Sequence, residues 1–287
     1  MASLQHIRRR IASVKNTQKV TKAMKMVSAS KLRRAQESAE AARPYARKMN
    51  EMFGGLGLDP AQTDHPLLKV RTPRRVGVLV VTPDRGLCGA LNTNVCRMAY
   101  AQVQDLAGKG MDVAVVAVGR KAREFFSRRG VEIEHAWTGL LGGVTYASAS
   151  EVGSHLVERF MAERFDQVFL VFAHFKSVIS QVAECHQLLP IPVEVQGGPE
   201  RSFLYEPSEE DVLGALLPKY VVVQLFQALL ESSASEQGAR MTAMDSASRN
   251  AGEVIKKLTL LYNKTRQEAV TKELLDIIGG VEALKGG

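Results

Sequence analysis

One stretch, residues 208–284, constrains the fold of this chain more than any other feature. It begins with Ser208-Glu209-Glu210-Asp211, where the serine can accept hydrogen bonds from the free N–H groups of a first helical turn, and only Pro218 interrupts the pattern that follows. Nine of twelve positions that step by three and four residues are apolar, in the series Val223, Phe226, Leu230, Ser233, Gln237, Arg240, Met244, Ala247, Ala251, Val254, Leu258 and Leu261. This spacing is typical of a coiled-coil seam. A helix of this length would extend roughly 110 Å, so it needs a partner.

The first 53 residues predict a second helix with its own seam. One heptad register is apolar at eleven of fifteen positions, which are Leu4, Ile7, Ile11, Val14, Gln18, Thr21, Lys25, Ser28, Leu32, Ala35, Ala39, Ala42, Ala46, Met49 and Phe53. Pro44 falls at an outward position, where a mild kink is tolerated. Val20, Met24 and Val27 displace the apolar stripe sideways, so we expect a second surface to cover them. Two long seams in one chain should pair antiparallel.

The two predicted helices differ in length. With about 51 residues in the first and about 74 in the last, roughly 20–25 residues of the last helix would extend beyond its partner, at about 262–284. This stretch has a stripe of its own, formed by Val270, Leu274, Ile277, Val281 and Leu284. Because an isolated helix is marginal in water, the exposed stripe predicts an association site for another protein.

Between the helices, residues 70–205 alternate predicted strands and helices. The strands are 75–82, 112–118, 131–137, 166–175 and 178–188, and the helices are 91–107, 120–129 and 148–164. Short connections between alternating elements predict a mostly parallel, Rossmann-like sheet covered on both faces. The predicted fold class is therefore α/β, with a long antiparallel two-helix coiled coil formed by both chain ends. The predicted domains are an N-terminal coiled-coil helix at 1–56, a central α/β domain at 70–207 and a C-terminal coiled-coil helix at 208–287.

Charge is concentrated at the N-terminus. Residues 1–53 hold 13 Lys and Arg against 3 acids, and the first 34 residues contain no acid, although the whole chain has a net charge of +8. One interpretation is a solvated basic face. The other is a surface for an acidic partner or for nucleic acid.

The motifs of common active sites do not occur. The loop at residues 82–89, TPDRGLCG, matches neither GxGxxG nor GxxxxGK[ST], which argues against a dinucleotide in the sheet domain. The six histidines have no metal-ligand spacing, and His174 and His186, which flank a predicted hairpin, are expected to be structural or surface groups. Cys88 lies beside Arg85, which could lower the pKa of its thiol. We therefore expect no catalytic residue, cofactor or metal.

Four segments together resemble the gamma subunit of F-type ATP synthases, in its bacterial form. They are IRRRIASVKNTQKVTKAMKMVSASKLRRAQ, TPDRGLCGALN, SEQGARMTAMDSASRNAGEVIKKL and YNKTRQEAVTKELLDIIGGVEAL. The resemblance implies that the terminal helices form the rotating shaft inside a ring of alpha and beta subunits. It also implies that the sheet domain is a foot that contacts the epsilon subunit and the membrane c-ring.

The resemblance also implies contact residues, carried over position by position. Residues implied to contact the alpha/beta head are Arg266, Gln267, Thr271, Glu273, Arg240, Met24, Lys25 and Cys88. Tyr205 and Glu206 match the region that contacts the c-ring or epsilon. The shaft would supply no catalytic group, and it would meet the membrane only through the c-ring.

Two alternative classes of protein and the location of the chain in the cell remain to be considered. A basic coiled-coil nucleic-acid binder would explain the N-terminal charge but leaves the sheet unused, and a dinucleotide enzyme leaves both helices unused. Three cysteines without CxxC spacing indicate a reducing compartment. With no leader or membrane-spanning run expected, the chain is predicted to lie at the cytoplasmic face of a bacterial inner membrane, as a peripheral subunit.

Overall fold

The computed structural model describes residues 4–55, 65–192, 206 and 208–285. These residues form two compact units. One is the continuous segment Ser28–Thr242, and the other combines Met1–Val27 with Ala243–Gly287. The continuous segment, here called the sheet unit, contains all five strands together with parts of both terminal helices. The other is called the helical unit.

A mixed five-stranded sheet forms the centre of the sheet unit. Its strands are β1 (Arg75–Val81), β2 (Asp112–Val118), β3 (Ile133–Trp137), β4 (Gln167–Ser177) and β5 (Ser180–Leu189). Their spatial order is β3-β2-β1-β4-β5. β1 pairs parallel with both β2 and β4, and β2 pairs parallel with β3. Only β5 runs antiparallel, as the second arm of a hairpin with β4. The expected parallel character therefore holds except at this edge.

Helices cover both faces of the sheet, as the apolar strand sequences require. The helices are α1 (Leu4–Gly55), α2 (Leu91–Gly108), α3 (Arg120–Ser127), α4 (Tyr146–Met161) and α5 (Glu209–Lys285), with a short 3-10 turn at Leu140–Gly142. One core cluster includes residues of α2 and α3. The cluster on the other face includes residues of α4, the end of α1 and the beginning of α5. The 3-10 turn lies in the connection between β3 and α4.

The heptad register predicted for α1 agrees with its burial. All fifteen of its positions are buried or half-buried. Pro44 is exposed and α1 continues through it, because an outward proline removes one hydrogen bond without inserting its ring into the packed face. Val20 and Val27 are 57% and 56% exposed, whereas Met24 is half-buried, so the described residues of this chain cover the displaced part of the stripe only partly.

The seam predicted for α5 is correct up to Ala251 and at Leu258, but it is wrong at Val254 and Leu261. Val254 and Leu261 are 40% and 47% exposed, whereas Ile255 and Tyr262 are half-buried. After Ala251 the buried and half-buried positions follow in steps of four and then three residues, whereas the predicted seam stepped by three and then four. The adjacent apolar pair Val254 and Ile255 made both registers compatible with the sequence.

The end of α5 is exposed on every side, but it starts later than predicted. Thr265 and Ala269 are still half-buried, and every residue from Val270 to Val281 is exposed. The aliphatic ones are 48–64% exposed, and they are Val270, Leu274, Leu275, Ile277, Ile278 and Val281. The predicted start of the exposed end, at residue 262, is therefore wrong by about two turns. The comparison of helix lengths did not take into account that the buried seam of α5 continues past this residue. The side chain of Leu284 lies outside the described residues.

By length and composition alone, α5 could cross a membrane. An 18-residue window within Glu210–Val281 has a mean hydropathy of 1.6, but 44% of that window is buried in the protein. Leu213, Leu217, Leu225 and Leu229 of this helix are all at most 2% exposed and belong to the core on the sheet. Packing against the sheet therefore accounts for much of the helix's apolar character.

Candidate functional site

Four side chains of α5 hold this helix to loops and strands of the sheet. Each donates to a backbone carbonyl oxygen of a different segment. Ser233 Oγ donates to Leu141 at 3.1 Å and Ser235 Oγ to Ala173 at 3.0 Å. Arg240 Nη2 donates to Gly86 at 3.2 Å. Thr242 Oγ1 lies 3.1 Å from the carbonyl oxygen of Val178 and 3.0 Å from that of Gly238, one turn back in α5, so the two acceptors share its single proton. We call Ser233, Ser235, Arg240 and Thr242 the sheet anchor.

The sheet anchor lies at the edge where Rossmann-like sheets bind nucleotides. The strand order reverses at β1, which has β2 on one side and β4 on the other, and ligands of open α/β sheets bind beyond the carboxyl ends of such strands. Here Gly86 belongs to the loop that follows β1, and Ala173 lies in neighbouring β4. The side chains of α5 that bind these two carbonyls therefore occupy the position of a nucleotide, which argues against the dinucleotide-enzyme alternative.

The loop after β1 is fixed by hydrogen bonds from several directions. Thr82 Oγ1 accepts from the backbone N–H of Ala122 at 2.8 Å. The carboxylate of Asp84 accepts from the N–H of Arg120 at 2.9 Å and from that of Gly139 at 2.8 Å. Asp84 therefore places a negative charge at the start of α3, where the helix dipole stabilises it. These contacts make the loop a rigid attachment point.

A buried ion pair reinforces the sheet anchor. Arg240 Nη2 lies 2.6 Å from Glu236 Oε1, and the two side chains are 10% and 9% exposed. Burial raises the pKa of Glu236, and the nearby Arg240 partly offsets that rise. A buried carboxylate is tolerated when a paired, hydrogen-bonded cation compensates it. Arg240 thus neutralises Glu236 and binds the loop at Gly86 at the same time.

Cys88 is not activated by Arg85, the residue that could have lowered the pKa of its thiol. Its side chain is 1% exposed, and this burial raises the pKa of the thiol, with Arg240 opposing the rise. Arg85, the residue expected to lower the pKa, lies on the exposed part of the loop. Cys88 packs into the core beneath the loop, so any contact of this loop with a partner would go through its exposed neighbours.

The end of α1 also contacts the beginning of α5 within the sheet unit. Gln224 Nε2 donates to Asn50 Oδ1 at 2.7 Å. Farther along α5, Glu231 is buried and its carboxylate accepts hydrogen bonds from His174 and Gln227. A groove of about 410 Å³ opens there, lined by Arg43, Arg47, Asn50, Glu51, His174, Gln227 and Glu231. His174 is thus held by a carboxylate, in keeping with the expected structural role, and the side chain of His186 is 58% exposed.

Polar contacts also join the two helical segments of the helical unit. Lys25 Nζ lies 2.5 Å from Asp245 Oδ1, and Gln18 Nε2 donates to the carbonyl oxygen of Ser248 at 3.2 Å. The hydrogen bond from Lys25 lowers the pKa of Asp245. Two of the four polar positions of the α1 seam, 18 and 25, therefore make specific contacts with α5. Met24 is half-buried beside them.

The remaining predicted contact residues face solvent or lie outside the described residues. Arg266, Gln267, Thr271 and Glu273 are all exposed on α5. Glu206 is exposed as well, and Tyr205 lies outside the described residues. The sequence analysis did not predict the sheet anchor, although it named Arg240 as an implied contact of the alpha/beta head. A signal for it was present, since Ser233 and Arg240 are two of the three polar residues in the predicted α5 seam.

Comparisons with known proteins agree on one family. A family model described as ATP synthase matches residues 3–284. The ATP synthase gamma chain of Geobacter metallireducens is 48% identical over 288 residues and covers 100% of both chains. That of Desulforamulus reducens is 46% identical, covering 99% of this chain and 100% of its own.

Solved structures show the same likeness. A chain from the central stalk and c-ring structure of the Tetrahymena thermophila mitochondrial ATP synthase is 28% identical, with a TM-score of 0.61 over 80% of this chain and 99% of that one. A chain from the Euglena gracilis mitochondrial ATP synthase, in the structure of OSCP, F1 and c-ring, has a TM-score of 0.73 over 99% and 95%. At 20% identity, the Euglena chain supports the fold alone.

Proposed function

Because this chain belongs to the ATP synthase gamma-chain family, we propose that it is the central rotor shaft of an F-type ATP synthase. It would transmit rotation between the ion-driven c-ring and the catalytic alpha/beta hexamer, in ATP synthesis or hydrolysis. Its proposed partners are the alpha, beta and epsilon subunits and the c-ring. It would act at the cytoplasmic face of a bacterial inner membrane, as a peripheral subunit without catalytic residues or cofactor.

The observation that carries this proposal is the exposed end of α5. From Val270 to Val281 every side chain is exposed, and the six aliphatic ones form one broad stripe along the helix, which is costly in water and is typical of a surface that another protein covers. At 100° per residue these six side chains lie within about 160° of the helix circumference, so they fit an apolar surface or groove on a partner subunit. Arg266, Gln267, Thr271 and Glu273, on the adjoining turns, are proposed contacts with the same head.

A shaft must be stiff, and we propose that α1 and α5 form an antiparallel coiled coil for this purpose. In the helical unit, Gln18 contacts Ser248 and Lys25 contacts Asp245. In the sheet unit, Asn50 contacts Gln224. Residue numbers rise along one helix as they fall along the other, which supports antiparallel pairing. The proposed domains remain two terminal helices and a central sheet domain.

A shaft must also be attached to the part that is driven. If the c-ring turns the sheet domain, torque passes into α5 wherever that helix is fixed to the sheet. The sheet anchor binds α5 to four segments of the sheet unit over ten residues, Ser233–Thr242. Hydrogen bonds to fixed backbone carbonyls resist twisting of the helix about its axis, which a purely apolar face would resist less.

Because the shaft is asymmetric, its rotation would change the catalytic state of the surrounding subunits in turn. A single shaft inside a ring of repeated subunits contacts each of them differently, and a contact that favours one conformation shifts the population of that subunit. The basic residues of α1 are proposed to face acidic segments of the beta subunits, with Met24 and Lys25 among the contacts. Rotation would move this bias from one subunit to the next.

Truncation after Ala269 tests the proposal. All described side chains beyond this residue are exposed, so the unfolding temperature of the isolated chain should remain within about 2 °C of the full chain. Assembly with alpha and beta subunits should weaken, because burial of each aliphatic side chain contributes roughly 1.5–3 kcal/mol. Arg266→Ala with Gln267→Ala, which keeps those side chains, should cost less assembly. Full assembly of the truncated chain would contradict the proposal.

A further inference from the structure

The proposed rotor function does not use the groove beside Glu231. This groove has a volume of about 410 Å³ and lies within the sheet unit, where α1, β4 and α5 meet. We call it the arginine groove. A cavity with polar walls holds water or a polar ligand, and all seven lining side chains are polar or charged, namely Arg43, Arg47, Asn50, Glu51, His174, Gln227 and Glu231.

Two arginines of α1 bring positive charge to the arginine groove. Arg43 and Arg47 are four residues apart, so they lie one above the other on the same face of the helix. Both are exposed. Nearby on α1, Arg33 and Lys48 pair with glutamates at 3.0 and 2.6 Å, whereas neither Arg43 nor Arg47 has such a partner in the part of the chain that the structure describes. Both guanidinium groups can therefore bind an anion.

The two carboxylates that line the arginine groove are already bound to donors. Glu231 is buried, and its two oxygens accept from His174 Nδ1 and from Gln227 Nε2. Glu51 Oε2 lies 2.6 Å from Lys48 Nζ, which offsets the charge of Glu51. The two carboxylates therefore do not neutralise Arg43 and Arg47, and the charge balance of the groove is positive.

Two further side chains offer polar atoms to a ligand in the arginine groove. Asn50 Oδ1 accepts from Gln224 Nε2 at 2.7 Å, which leaves the Asn50 amide nitrogen as a donor. His174 Nδ1 is held by Glu231. This leaves His174 Nε2 to accept a hydrogen bond when the ring is neutral and to donate one when the ring is protonated. The groove thus combines two guanidinium groups with an amide donor and an imidazole nitrogen.

This set of groups matches a phosphate anion. Guanidinium groups bind phosphate oxygens through paired N–H donors, and two of them suit an anion with more than one negative charge. At about 30 Å³ for each water molecule, the groove has the volume of roughly a dozen waters, which is enough for a small hydrated anion. The imidazole of His174 is the one aromatic ring among the described lining residues, so a nucleoside base would find little to stack on.

We propose that the arginine groove binds a small phosphate anion, either free phosphate or pyrophosphate, between α1 and β4. The anion bridges Arg43 and Arg47 of α1 to His174 of β4, and it adds a polar link between the first helix and the sheet. The inference goes beyond the proposed rotor function and does not depend on it, because every residue of the site belongs to this chain.

The test is a calorimetric titration of the isolated full chain with phosphate and with pyrophosphate, in a chloride buffer of constant ionic strength. One anion should bind to each chain, and pyrophosphate should bind more tightly because it offers more oxygens to the two guanidinium groups. In Arg43→Gln with Arg47→Gln the apparent Kd should rise at least about tenfold. Without the anion this variant should unfold at the wild-type temperature, since both side chains are exposed.

Two control variants separate a shaped site from general attraction to a basic chain. Lys15→Gln with Lys19→Gln removes the same charge from exposed positions of α1, also four residues apart but outside the groove. Its Kd should equal that of wild type. Arg43→Lys with Arg47→Lys keeps the charge and loses the paired N–H donors, so its Kd should lie between those of wild type and the glutamine variant.

Each alternative gives a different result. If the Lys15 and Lys19 variant loses as much affinity as the Arg43 and Arg47 variant, the attraction is nonspecific and the groove is refuted. If ADP binds at least about tenfold more tightly than pyrophosphate, the groove takes a nucleotide and the small anion is wrong. Absence of saturable binding up to about 10 mM also overturns the proposal.

A protein partner for the two arginines is the remaining alternative. It would be indicated if wild type binds neither anion while Arg43→Gln with Arg47→Gln assembles poorly with alpha and beta subunits, and this result would overturn the proposal. The proposed function fails on a separate observation, namely that the wild-type chain does not assemble with those subunits.

Discussion

Replacing Arg240 with methionine is the most informative single change to the sheet anchor. In the native protein the side chains of Arg240 and Glu236 are 10% and 9% exposed and form an ion pair of 2.6 Å. The methionine fills much of the same space but leaves a buried carboxylate without its cation. Removing one partner of a buried pair typically costs roughly 3–5 kcal/mol. At about 2–4 °C for each kcal/mol in a chain of this size, the unfolding temperature should fall by roughly 6–20 °C.

The pH dependence of the stability lost in Arg240→Met identifies the cause of that loss. Burial raises the pKa of Glu236 above its ordinary value of 4.5, so the folded state holds this proton to higher pH than the unfolded state. Stability from this group therefore falls as pH rises from 4.5 through the raised folded pKa. Without Arg240 that pKa rises further. The deficit of Arg240→Met relative to wild type should thus be larger at pH 8 than at pH 5.

A double-mutant cycle completes the assay, with thermal unfolding followed by circular dichroism for both single variants and the pair. In Glu236→Met with Arg240→Met no buried charge remains, so most of the stability should return, and the excess pH dependence should disappear. The reasoning is refuted if Arg240→Met costs less than about 1 kcal/mol, or if it costs the same with and without Glu236.

Three further changes test other parts of the account. Gly119→Ala should destabilise the sheet unit by more than about 4 kcal/mol in chemical denaturation. The reason is that Gly119 has a φ of 93° and that an added Cβ would lie 1.7 Å from the carbonyl oxygen of Thr82. A variant as stable as wild type would contradict this close approach of Gly119 to Thr82. Replacing Lys19, Lys22 and Lys31 by glutamate should reduce ATP-driven proton pumping through like-charge contacts with the beta subunits while the isolated chain folds normally, and normal pumping would rule out these contacts. Lys25 is left unchanged because it pairs with Asp245. Replacing Tyr205 and Glu206 by alanine should loosen attachment to the c-ring and preserve ATP hydrolysis by the soluble head, whereas loss of hydrolysis with normal attachment would argue against this role.

Periodicity allowed most of the fold to be predicted. The strand at 112–118 agrees with β2 to the residue, and the last helix, predicted at 208–284, agrees with α5 within one residue at each end. The α1 register was also correct, because a fifteen-position heptad pattern leaves only one face that can be buried. Where two apolar residues are adjacent, as at Val254 and Ile255, the pattern fits two registers, and only packing decides between them.

The sheet anchor could not be predicted in the same way. Its contacts join α5 to carbonyls that are 62 to 154 positions away in sequence, and no local pattern specifies such pairs. Ser233 and Arg240 did stand out in the sequence as polar residues in an apolar seam, although the pattern alone did not indicate what they bind. The pKa of the Cys88 thiol could not be predicted for a related reason, since a nearby arginine in the sequence says nothing about burial.

Rotation is the most direct measurement of the central claim. A bead or fluorophore can be attached to a cysteine introduced at Lys109, which is exposed just after α2, with Cys185 replaced by alanine and the buried Cys88 and Cys96 kept. The alpha and beta subunits are then fixed to a surface around this chain and supplied with ATP. The account predicts continuous rotation in one direction that stops when ATP is removed. A stable complex that hydrolyses ATP while the label on this chain stays still would contradict it.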